Sequence, residues 1–133
     1  MAQILWSNEQ KKIIDARRKN ILVSAAAGSG KTAVLVERIF QKIIDPKDPV
    51  DIDQFVVVTF TRAAASQMKE RLRVKIEEEL EKQPGNSRLQ KQIPLLSGAH
   101  ISTVHSFCGY VIQNYFHRIG LDPAYRQGTD KEI

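Results

Sequence analysis

The sequence holds a single cysteine, Cys108, among 133 residues, so no disulfide can form within the chain. Scarcity of cysteine fits a reducing compartment, and a cytoplasmic setting is the expectation. Cys108 itself is expected to be a small core residue on the inner face of a helix. No apolar run approaches the ~20 residues that a bilayer-spanning helix requires. The opening Met1-Ala2-Gln3-Ile4-Leu5-Trp6 has no long apolar core, so a secretory signal is not expected. No internal repeat is visible, which argues against repeat architectures. Acidic residues are in the minority, 15 against 20 Lys and Arg, giving a net charge of +5. A basic balance favours an anionic partner, whether nucleic acid or a membrane surface, and composition does not choose between them. The length is that of one domain.

What is present is more specific. Asn20-Ile21-Leu22-Val23-Ser24 is a short apolar run suited to a buried strand, followed by Ala25-Ala26-Ala27-Gly28-Ser29-Gly30-Lys31-Thr32. After Thr32, Leu35, Ile39 and Ile43 recur every fourth residue, flanked by Val36, Phe40 and Ile44, and predict one apolar helix face. Strand, glycine-rich turn and helix in this order form the context of a phosphate-binding loop. Gly28 and Gly30 lack a Cβ, so the backbone can curl and aim N–H groups at phosphate oxygens. The helix starting near Lys31 adds unpaired N–H groups and the positive end of its dipole. Lys31 supplies a cation for the outer phosphates, and the Thr32 hydroxyl suits the Mg2+ that accompanies ATP. The full pattern has Gly where this chain has Ala25, so position 25 must keep a negative φ. The bland alternative is a Gly/Ser turn before an amphipathic helix; order, spacing and both flanks would then all have to coincide.

Further along, Ser7 and Gln10 read as a capping box opening a helix through Arg18. Asp45-Pro46 and Asp48-Pro49 end the helix after the loop. Phe55-Val56-Val57-Val58-Thr59-Phe60 alternates too little for a half-wet strand and suits the centre of a parallel sheet. A long helix is predicted from about Arg62 to Lys82, with Ala65, Met68, Leu72, Ile76 and Leu80 inward. A shorter one follows near Ser87 to Leu96, bending at Pro94. His100-Ile101-Ser102-Thr103 is a candidate third strand, and a last helix runs from about Ser106 to Gly120. Strand–helix units imply an α/β fold with a parallel sheet and right-handed crossovers. Ligands then bind beyond the carboxyl ends of strands, where Thr59-Phe60-Thr61-Arg62 and Ser102-Thr103-Val104-His105-Ser106-Phe107 emerge. Hydroxyls, a ring and a cation at such an end suit a single nucleic-acid strand, held by its phosphates and stacked on the ring.

Gln10, the Ala25–Thr32 loop, Thr59-Phe60-Thr61 with Ala63-Ala64-Ala65 and Met68, and Thr103-Val104-His105-Ser106-Phe107 resemble the opening motifs of superfamily 1 DNA helicases of the UvrD/RecB type. The triple alanine before Gly28, Ile101 to Cys108, and Leu121-Asp122-Pro123 with Tyr125-Arg126 are similar to the AddAB-type helicase–nucleases within that group. The resemblance spans nearly the whole chain. It implies a P-loop NTPase (RecA-like) sheet, of which residues 1–133 hold the first, incomplete part, and ATP-driven movement on single-stranded DNA in repair and recombination. It implies ATP and Mg2+ as cofactors; the partners it implies are single-stranded DNA, DNA ends and an AddB-type subunit. Gln10 corresponds to the glutamine that reads adenine, its alternative role being the Ser7 cap. Ala25, Ala26, Ala27, Gly28, Ser29, Gly30, Lys31 and Thr32 correspond to the phosphate loop, with Lys31 and Thr32 catalytic and Thr32 on the metal. Arg38 matches an arginine near the nucleotide, or is a solvated helix arginine. Phe60 matches a base-contacting position, against core packing at a strand end. Thr61 would hold a phosphate or cap the helix after it. Arg62 replaces the usual asparagine and adds a cation. Thr103 and His105 match the next DNA-contacting motif, His105 having a structural alternative.

The acidic pair that such enzymes use for metal and attacking water does not follow any hydrophobic strand before Ile133. The expectation is an N-terminal piece of a longer protein that binds nucleotide weakly and turns over negligibly. Other readings are a UvrD-like helicase without nuclease, a small stand-alone P-loop kinase or NTPase, and a single-strand DNA binder with a vestigial loop. The mixed charges from Lys69 to Lys82 read as a solvated face. Lys11, Lys12, Arg17, Arg18 and Lys19 could touch DNA, with solvation as the default.

Overall fold

A computed structural model of the chain describes residues 4–28 and 30–128. Ser7 starts the first helix, α1 (Asn8–Asp15): its side chain accepts from the Gln10 N–H, and the Gln10 side chain returns to the Ser7 N–H. The capping box is therefore as the sequence predicts. The helix stops at Asp15 rather than Arg18, because Ala16 turns extended and Arg18 takes a φ of 54°. Helix α2 (Lys31–Ile43) buries Val36, Ile39, Phe40 and Ile43, which is the predicted stripe, whereas Leu35 stays exposed. A 3-10 turn (Ile52–Gln54) leads into β1 (Val56–Thr59), then α3 (Arg62–Lys82), α4 (Ser87–Gly98), β2 (His100–Thr103), α5 (Val104–Tyr115) and a closing 3-10 turn (Phe116–Arg118).

The strands β1 and β2 pair in parallel, with Val56 opposite His100 and Thr59 opposite Thr103. Between them α3 and α4 form the crossover. Ala65, Met68, Leu72 and Ile76 of α3 are buried as expected, with Leu80 packed against the same core. Leu89 and Leu96 of α4, Val57 of β1 and Ile101 of β2 complete it. Burying apolar surface at about 25 cal/mol per Å2 is what holds these layers together.

Four expectations change. Residues 20–24 are not a strand: Leu22 is 96 % exposed, and the sheet among the described residues is the β1–β2 pair. Extended chain becomes strand only with a neighbour to receive its ladder bonds, and none pairs there. Second, β1 is buried on one face alone. Val57 is inside, while Val56 and Val58 are 56 % and 47 % exposed, because the helices cover only one side of the pair. Third, α4 continues past Pro94 to Gly98, and α5 starts at Val104 and ends at Tyr115, since Thr103 supplies its cap. Fourth, Cys108 is exposed, as α5 buries none of its residues.

Two polar clusters lie within the packing. Glu37 is buried on α2, where its carboxylate accepts from Lys75 Nζ of α3 at 2.6 Å and from Gln41 Nε2 at 2.8 Å. Fully buried Gln92 accepts from the Ile52 N–H at 2.9 Å and donates to Asp51 Oδ1 at 2.7 Å. Asp51 also receives Arg88 and Lys91. These bonds, Gln92 first, hold the Asp51 carboxyl below its usual pKa.

Candidate functional site

Four of the five α-helices among the described residues carry a side-chain N-cap: Ser7, Thr61, Asn86 and Thr103 each accept a first-turn N–H. Helix α2 does not. Its N-cap is Gly30 at φ 82°, with no side-chain bond and no acidic residue in the first turn. Among the described residues, no side chain caps its leading N–H groups and no carboxylate sits in its first turn to meet the positive end of its dipole. Gly28 has a φ of 78°, so both loop glycines occupy backbone that L side chains rarely adopt. Arg18 is the non-glycine residue with positive φ among the described ones, so Ala25 keeps the ordinary backbone its Cβ demands.

Beside this helix end lies a cleft of about 530 Å3 lined by Ser7, Glu9, Gln10, Ile13, Ile21, Val23, Ser24, Ala25, Lys31, Val34, Leu35 and Arg38. Gln10, Ala25, Lys31 and Arg38, four residues singled out from the sequence, therefore meet in one place. Lys31 Nζ donates to the Ala25 carbonyl at 2.8 Å, closing the loop upon itself. The Gln10 amide is near: a Cβ on Gly30 would stand 3.5 Å from its Nε2. Its Oε1 accepts from the Ser7 N–H at 2.8 Å, so the cap role exists in the structure. Arg38 is not a solvated arginine. Its Nη1 donates to the carbonyls of Ile13 at 2.5 Å and Ala16 at 2.6 Å, binding the end of α1 to α2. Burial, and then the nearby Arg17 charge, lower its pKa from the usual arginine value. Thr32 is exposed in the first turn of α2. Ser29 falls outside the described residues. Ala26 and Ala27 are exposed and do not line the cleft. Among the described residues no group of three or more His, Cys, Asp or Glu is placed to hold a metal.

A second set gathers where the two parallel strands end. Thr59 faces Thr103 in register, which brings Phe60, Thr61 and Arg62 alongside the start of α5. Phe60 is 99 % exposed, so core packing is not its role. Thr61 accepts from the Ala64 N–H and Thr103 from the Ser106 N–H, both at 3.1 Å; each caps a helix. Arg62 and His105 are exposed.

Residues 6–132 match the family of UvrD/REP helicase N-terminal domains. The chain belongs to that family. It is 56 % identical over 132 residues to the A-type chain of the ATP-dependent helicase/nuclease of Clostridium novyi, covering 99 % of this chain and 11 % of that protein. The corresponding proteins of Lachnoclostridium phytofermentans and Moorella thermoacetica are each 53 % identical, over 100 % and 96 % of this chain and 10 % and 9 % of theirs. The UvrD-type chain thus spans about a tenth of the length of these relatives.

Sequence reasoning overlooked Ser7, Glu9, Ile13, Ser24, Val34 and Leu35 as cleft lining. No local pattern marks them, since Leu35 lies on the predicted buried stripe and its 38 % exposure follows from how α1 and the loop sit against α2.

Proposed function

We propose that this chain is the ATP-binding segment of an AddA-type helicase–nuclease, the first part of a RecA-like P-loop domain at residues 1–133. The observation that carries the reading is α2, the one uncapped α-helix among the described residues, opening on the Gln10–Lys31–Arg38 cleft. A triphosphate is the anion that fits. Its oxygens accept from the N–H groups after Gly28, and Lys31 exchanges the Ala25 carbonyl for a phosphate oxygen. Gln10 carries an amide donor and acceptor side by side, which suit the adenine edge. Arg38 acts as a positioning residue, setting α1, and so Gln10, against α2. The Thr32 hydroxyl would hold the Mg2+ that accompanies the nucleotide, which would supply charge neutralisation.

Single-stranded DNA then lies over the strand ends. Phe60 stacks on a base, Arg62 and His105 lie beside the backbone, Thr61 donates its O–H to a phosphate while its oxygen keeps capping, and Thr103 does the same on releasing its O–H from Ser106 Oγ. In the longer protein, the partners this reading implies are DNA ends in double-strand-break repair and an AddB-type subunit. Both the helicase and the exonuclease activities belong to that longer protein. The test is binding of a fluorescent ATP analogue alongside a labelled single-stranded oligonucleotide. Lys31→Ala should abolish the first and spare the second, and Phe60→Ala should do the reverse. Loss of both signals in either variant, at unchanged melting temperature, contradicts two separate sites.

A further inference from the structure

Several charged groups of α3 and α4 are paired: Arg73 with Glu70 and Glu77, Lys82 with Glu79, Lys75 with Glu37, and Arg88 and Lys91 with Asp51. The stretch from Lys11 to Lys19 differs. It carries Lys11, Lys12, Arg17, Arg18 and Lys19 against one carboxylate, Asp15. The ion pair found there is Arg17 with Asp45 at 3.8 Å. All five cations are exposed. Glu9, Gln10 and Ile13 of α1 line the cleft, whereas Lys11 and Lys12 leave the helix elsewhere and do not.

Lys11 and Lys12 stand on α1, and the turn that presents Arg17, Arg18 and Lys19 is fixed. Arg38 donates to the Ile13 and Ala16 carbonyls, and Arg17 Nη1 to the Ile14 carbonyl at 2.7 Å. Arg18 follows in left-handed backbone at φ 54°, a conformation that strains a non-glycine residue. Like charges crowded on a pinned, strained turn work against stability, and a polyanion relieves them. No aromatic residue lies between Lys11 and Lys19, so nothing there can stack on an unpaired base. Phosphate contact without stacking fits a duplex, whose bases are already stacked on one another.

We propose that Lys11, Lys12, Arg18 and Lys19 form a docking surface for the phosphate backbone of duplex DNA, distinct from the strand-end face that carries Phe60. The proposal extends the DNA-binding reading above and names a second form of the ligand. Fluorescence anisotropy of labelled duplex and single-stranded oligonucleotides across a salt series tests it on the 133-residue chain. Combining Lys11→Ala, Lys12→Ala, Arg18→Gly and Lys19→Ala should weaken duplex binding. It should also make the slope of log K against log salt shallower by about three to four, near 0.9 per lost contact. Arg18→Gly alone, which suits the backbone and keeps the fold, should lower the slope by about one. Phe60→Ala should leave the duplex slope unchanged while weakening single-strand binding. An unchanged duplex slope in both cation variants overturns the proposal, as does a Phe60→Ala loss of duplex binding equal to that of the combined variant. Failure of Phe60→Ala to affect single strands counts against the strand-end reading and leaves this one standing.

Discussion

At the scale of single residues, Gly30 joins backbone geometry to ligand chemistry. At φ 82° an alanine would be strained, and its Cβ would meet Gln10 Nε2 at 3.5 Å. Gly30→Ala should therefore cost about 1–2 kcal/mol of stability and weaken nucleotide binding as well, read by thermal melting and analogue titration. Asp51 provides a pH readout. Its folded pKa is depressed by Gln92, Lys91 and Arg88, so its contribution is complete above the unfolded carboxyl value and fades as pH falls below about 4. Asp51→Asn should flatten that part of an acid melting curve; an unaltered acid limb would show that the cluster contributes nothing. Of the two, Gly30 was visible beforehand and Asp51 was not. Glycine at 30 follows from the loop pattern, but the Gln92 bonds to Asp51 and the Ile52 N–H join positions some forty residues apart, which no local pattern encodes.

Helices declared themselves through caps and periodicity, which are local properties. Ser7 and Thr61 are capping types at the right offsets, and the α3 stripe of Ala65, Met68, Leu72 and Ile76 follows from 3.6-residue periodicity; the Thr103 cap went unread, so α5 begins two residues earlier than expected. Strands depend on neighbours. The run Ile21–Val23 reads as a strand and remains unpaired, while Val56 and Val58 read as buried and are exposed, because sheet burial is decided by what packs on each face. At this scale Thr61→Ala should destabilise by about 1 kcal/mol through loss of the α3 cap. Leu72→Ala, at a fully buried site, should cost about 2–5 kcal/mol in chemical denaturation. Near-equal effects of the two substitutions would mean that α3 is not the central packing element.

Across the whole molecule, α3 links the two sets of residues: its first turn follows Phe60, and its Lys75 holds the buried Glu37 of α2. The sequence pattern named members of both sets, although each joins residues far apart in the chain: Gln10 with Lys31 and Arg38 in the cleft, and the ends of β1 and β2 at the other. It did not reveal the Arg38 clasp on α1, which depends on how two helices meet. The chain carries the loop without an acidic pair after a hydrophobic strand. It should accordingly bind nucleotide while releasing negligible phosphate in a malachite-green assay; DNA-stimulated hydrolysis would contradict this. The most direct test of the central claim is the equilibrium dissociation constant of a fluorescent ATP analogue for the chain and for Lys31→Ala, with melting temperatures matched. Measurable binding that weakens at least about tenfold in the variant, equivalent to about 1.4 kcal/mol, is the expected result. Equal binding by both proteins, or none by the unaltered chain, would contradict it.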